Sequence, residues 1–170
     1  LSSNLSYCFL FSMKKSEFGI SAGAVVVSTI QDLLQLHTAR QKNGVSEDKK
    51  AKLDELVDGL AIVHSRFSLD SNASLDELTP FCKSQIADAI ASKAEIYQDH
   101  SRGLDEADSD YRNGLLLAAQ LFEYANGITE NQTWMHWRGL ILNELGDHQA
   151  AANSFGKAGE IAGDNGIYQV

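Results

Sequence analysis

Five histidines, two cysteines and a run of acids are the side chains of this chain best suited to bind a metal or move a proton. His37, His64, His100, His136 and His148 form no HExxH element, and no two lie four apart, the spacing at which one helix face offers two imidazoles to zinc. Asp105, Glu106, Asp108 and Asp110 suit a hard cation, which prefers several carboxylate oxygens. A calcium loop starting at Asp108 needs glycine at 113 and glutamate at 119, where the chain has Asn113 and Ala119. Cys8 and Cys82 belong to no CxxC or Cys/His set. Cys82, beside Phe81 and Ile86, reads as a small buried hydrophobe, and two free thiols suit a reducing compartment. No glycine-rich phosphate loop, nucleophile elbow or dinucleotide fingerprint occurs. No enzyme, metal or cofactor is expected. One enzymatic route stays open, an acid–base pair assembled from carboxylates distant in sequence.

Caps and apolar spacing divide the chain into six helices with no strand pattern, so the class is all-α. The first is expected from Ser16 to Lys42, stopped by Asn43-Gly44, and Ser46 caps a second in which Leu53, Leu56, Val57, Leu60 and Val63 recur to Phe67. Gly59 is a close-contact position on that helix. Ser74-Leu75-Asp76-Glu77 has the form of a capping box and predicts the start of a third helix, with a kink or a short first segment at Pro80 and an end at Gly103. Asp108 or Ser109 caps a fourth, closed by Asn126-Gly127. The run Phe18 to Ile30 is 13 residues long, shorter than the ~20 a membrane helix requires, and reads as a buried helix. Met13-Lys14-Lys15 has the form of a translation start, so residues 1–12 read as upstream sequence, and the ordered fold is expected to begin after residue 15.

From Gln132 to Gly163 the spacing changes character. Met135, Gly139 and Leu142 share one helix face, Ala151, Phe155 and Ala158 share the next, and Gly146-Asp147 stands between as turn and cap. Small, large apolar, Gly-Asp turn, then Ala, aromatic and Ala resembles the tetratricopeptide repeat. Ala118, Phe122 and Ala125 repeat the triplet Ala151, Phe155, Ala158 at an offset of 33 residues, near the family period of about 34. The helix before that copy is poor, since Asp99 to Arg112 contains Gly103 and five acids. The chain departs from the family at Arg138, where leucine is usual, and at Gly163, where proline is usual. One and a half repeats are thus expected, against the plainer reading that two amphipathic helices share an Ala-Phe-Ala face. The resemblance implies an antiparallel helical array in a single domain over 1–170, with an N-terminal helical bundle at 16–103 packed on the repeat-like half at 107–163. Phe155 is expected to be buried between helices.

The resemblance also implies a scaffold or adaptor holding a partner peptide or helix, with Trp134, Trp137, Arg138 and Asn143 as the candidate contacts. Trp137 has two readings, core packing on a neighbouring helix or exposure to a partner. Arg138 likewise either offers its guanidinium to a partner carboxylate or pairs with a nearby acid such as Glu144. Three repeats normally make a stable solenoid, so this array must lean on its own helices, a second copy or a larger assembly. Residues 1–70 hold eight acids and eight bases, and residues 71–170 hold 15 acids against 6 bases, which is the whole net charge of −9. Such a surface disfavours nucleic acid and either favours a basic protein partner or serves only to keep the protein soluble. A competing reading makes the acidic half a nucleic-acid mimic that blocks a basic protein. A cytoplasmic protein outside the membrane is expected in either case.

Overall fold

The computed structural model describes residues 21–70 and 73–164. Among them are six helices and no strand: α1 (Ala22–Asn43), α2 (Glu47–Phe67), α3 (Pro80–Arg102), α4 (Ser109–Ile128), α5 (Gln132–Glu144) and α6 (His148–Asp164). The all-helical class expected from the sequence is what forms. The expectation for residues 1–15 lies outside the described residues, and the helix expected to run on from Ser16 begins at Ala22, because Ser21 has extended backbone and serves as the cap. Contacts gather the chain into two compact units divided between Ala89 and Ile90, inside α3, whereas the sequence reading draws its line near residues 103–107.

In the first unit α1 packs on α2. Ser21 caps α1 by accepting from the Ala24 N–H at 3.2 Å, and Gly44 ends it at φ 81°, a conformation an L side chain resists. Ser46 precedes α2 with extended backbone, and its carbonyl takes the Lys49 and Lys50 N–H groups. Its hydroxyl makes no capping bond. Leu53, Leu56, Leu60, Val63 and Phe67 recur on one face of α2 and are buried, as their spacing predicts. A Cβ added to Gly59 on that face would stand 3.0 Å from the Cys82 Sγ, which is the close contact expected there.

The expected capping box at Ser74 does not form. Ser74 accepts from the Asp76 N–H at 3.1 Å, within a turn, and Glu77 pairs with Arg66. Thr79 opens α3 instead, its hydroxyl accepting from Cys82 N–H at 3.2 Å and its carbonyl from Lys83. Pro80 is then the first helical residue, where its missing N–H removes no helical bond and its fixed φ suits the first turn. The kink predicted there is absent for that reason.

In the second unit Asp108 caps α4 by accepting from the Asp110 N–H at 3.0 Å. Asn126-Gly127 does not close α4, which continues to Ile128, because Gly127 keeps negative φ and the Asn126 side chain accepts from Asn131 N–H at 2.7 Å. Asn131 in turn caps α5 through the N–H groups of Thr133 and Trp134. Gly146 (φ 84°) and Asp147, which accepts from Ala150 N–H at 3.1 Å, form the expected turn into α6. The α4–α5 and α5–α6 pairs both pack directly.

Candidate partner-binding groove

The hairpin of α5 and α6 closes over missing side-chain volume. A Cβ on Gly139 would lie 2.6 to 2.8 Å from three carbons of the Phe155 ring, so only glycine lets the ring rest on the α5 backbone. Ala151 is buried one turn earlier on α6, with Met135 and Leu142 opposite on α5. Phe155 itself departs from the expectation of burial. It remains 36% exposed and meets His136 with ring centroids 5.5 Å apart. The physical reason is that Gly139 seats one face of the ring while, among the described residues, no further helix covers the other.

That uncovered face floors an open groove of about 450 Å³ running between the start of α5 (Gln132, Thr133, His136) and α6 (Ala158, Gly159, Ala162). Leu140, one turn beyond His136, is exposed as well. A Cβ at Gly156, Gly159 or Gly163 would meet nothing within 4 Å, so no contact among the described residues calls for these glycines. Each lowers helix stability by roughly 1 kcal/mol relative to alanine.

The residues nominated from sequence lie elsewhere on the hairpin. Trp134 is buried, and Trp137 packs on Phe122 of α4 at 5.6 Å with the rings tilted by 59°. The contact is one that the core-packing reading expects, and Trp137 stays partly exposed; such a ring pair is worth about 0.5–1.5 kcal/mol beyond burial. Arg138, its side chain 17% exposed, spans three helices. Its Nη2 is 3.2 Å from Glu123 Oε2 on α4, and its Nη1 donates to Ser154 Oγ on α6, which donates onward to the Ala150 carbonyl at 3.0 Å. Arg138 does pair with an acid, as one reading expects, and the acid is Glu123. Glu144 takes other partners, the Tyr111 hydroxyl at 2.6 Å and Arg102 at 3.3 Å. Donation to that carboxylate stabilises the neutral phenol and pushes the Tyr111 pKa up to about 12. Asn143 Oδ1 lies 2.8 Å from His148 Nδ1 across the turn.

Sequence reasoning therefore found the hairpin and its tight crossing, and named Phe155 and Ala158 of the groove's lining as packing positions rather than as an open surface. The missed signal was Gly159, the one lining glycine of the three at 156, 159 and 163, which local helix preference does not explain. Asp105 accepts from the Ala107 N–H at 2.9 Å, Asp108 caps α4 and Asp110 is buried, so this acid cluster serves turn, cap and core. Among the described residues no group of three His, Cys, Asp or Glu side chains is placed to hold a metal ion, and no helix is long and apolar enough to cross a membrane.

No family model, curated protein or solved structure matches the chain. What the described residues define is a class of architecture, all-helical, with a tightly crossed α5–α6 hairpin whose apolar groove no other described element covers.

Proposed function

We propose that this chain is a non-enzymatic interaction module of tetratricopeptide-like design, and that the groove between α5 and α6 receives an amphipathic helix of a partner protein. The observation that carries this reading is Phe155, seated on Gly139 yet open on its outer face. A helix laid there would cover Phe155 as the next helix of a repeat array would, and the bare backbone at Gly156 and Gly159 permits close approach. Apolar anchors of a partner helix at i, i+3, i+4 and i+7 fit such a groove. Gln132 adds a polar anchor at the groove's edge, where its sheltered side-chain oxygen has no hydrogen-bond partner. A scaffold or adaptor role in the cytoplasm follows, consistent with Cys82 as a buried free thiol.

The competing mimic of nucleic acid has less support. Glu123 and Glu144 hold arginines, and Asp105 and Asp108 accept backbone N–H groups.

Gly159→Arg is the direct test. The site is open, and arginine is the better helix former by nearly ~1 kcal/mol, so the fold is retained while the groove is filled. Affinity capture from the source cell should recover a partner with the wild-type chain and lose it with the variant. Identical recoveries with both baits would remove the groove from consideration.

A further inference from the structure

The first unit holds a second concavity of different character. It is a cleft of about 230 Å³ between α1, the first turns of α2 and the start of α3. Its floor is apolar, built from Leu53, Leu56 and Phe81, and its walls carry Arg40, Lys49 and Lys52 against a single acid, Asp48. In a chain of net charge −9 this is a local excess of positive charge. Lys52 is held in place, its Nζ 4.5 Å from the Phe81 ring centroid, which sets a cation at the edge of the aromatic floor.

His37 completes the polar lining. Only 6% exposed, its ring lies with Nδ1 3.1 Å from Arg40 Nη1. A guanidinium only donates, so Nδ1 must accept, and the ring proton resides on Nε2, making the remaining nitrogen a donor. Burial first, and the Arg40 charge second, hold the His37 pKa below the usual value and keep this neutral tautomer. Apart from Asp48 and the amide of Gln85, the polar groups of the cleft are therefore donors.

We propose that this cleft binds a small organic anion, its carboxylate or phosphate among Arg40, Lys49 and Lys52 and its apolar body on Leu53, Leu56 and Phe81. Charge-assisted donors surrounding an apolar floor match a ligand that carries both properties at once. The volume sets the size. It falls below the range of about 300–1,000 Å³ usual for larger ligands, which limits the occupant to roughly one ring with one acidic group. This site belongs to the first unit and stands independently of the groove between α5 and α6.

The test is calorimetric titration of the full chain at low salt with phenyl phosphate, benzoate, inorganic phosphate and benzyl alcohol, repeated with Arg40→Met and Lys52→Met. Both variants keep the aliphatic stem at exposed positions, and circular dichroism checks the fold. At least one aryl anion should bind, weaken by about tenfold or more in each variant, and shift the His37 ring nitrogen resonances. Inorganic phosphate and benzyl alcohol should each bind at least about tenfold more weakly than that anion. Whether the phosphate or the carboxylate wins identifies the preferred headgroup. The proposal is overturned by no binding of either aryl anion at about 10 mM, or by affinity unchanged in both variants. Equal binding of inorganic phosphate would mean an adventitious ion only.

Discussion

Each unit contains a glycine against which another element packs, and the two crossings differ in what lies opposite. Gly59 faces the Cys82 Sγ at 3.0 Å and Leu78 Cδ2 at 3.5 Å, measured from an added Cβ. Cys82 is fully buried in the first turn of α3, its thiol 3.6 Å from the Glu55 carbonyl. Gly139 faces the Phe155 ring more closely still, at 2.6 Å, yet that ring is one-third open to water. Distance alone would rank Gly139 as the less tolerant position. The freedom of the opposing side chain reverses the order, because an overpacked atom costs energy only where its neighbour cannot move aside.

The largest effect that tests this ordering is at Gly59. Gly59→Leu should lower unfolding free energy by roughly 3 kcal/mol in urea titration, since Cys82 has no space to retreat. Gly139→Leu should cost less, about 1–2 kcal/mol, with Phe155 displaced toward solvent and its fluorescence-silent ring followed by NMR. Equal losses at both positions would abolish the distinction between the crossings.

A sharper form uses a double-mutant cycle. In the wild-type background Gly139→Ala sets a clash with Phe155 against the gain in helix preference. Once Phe155→Ala has removed the ring, the same substitution should stabilise the chain by about 1 kcal/mol. Additivity of the two changes would show that the ring does not rest on Gly139.

The smallest effect concerns Tyr111 in the second unit. Its folded pKa, about 12, lies above the ordinary value of 10.0, so the hydrogen bond to Glu144 contributes fully below pH 10 and is lost as pH rises through 12. The stability difference between wild type and Tyr111→Phe should be constant near neutrality and shrink across that window. A difference that persists beyond pH 12 would break the assignment of the bond.

The helical class and most helix limits were legible in the residues. The Leu53–Val63 spacing located the α2 core face, and Asn43-Gly44 and Gly146-Asp147 located two turns. Errors fell where local signals competed. Ser74 to Glu77 satisfies a capping-box pattern, yet Arg66, distant in sequence, takes Glu77 and leaves Thr79 to open α3. Asn126-Gly127 resembles a helix end, yet Asn126 binds the Asn131 N–H and the helix runs on. At the groove, Gly139 and Phe155 were readable as a crossing. The partners of Trp137 and Arg138 were not, because Phe122, Glu123 and Ser154 are brought to them by helix packing and share no periodic relation with them.

Steric rules acting over a few neighbouring residues were enough to specify an all-helical chain, its left-handed turns at Gly44 and Gly146 and the glycine-permitted approach of α5 and α6. Packing between helices chose the rest: Glu123 for Arg138, Glu144 for Tyr111, and a Phe155 covered on one side alone. Helical periodicity says which side chains share a face. It carries no information on which other face they meet, since that depends on the angle and rotation at which whole helices settle together.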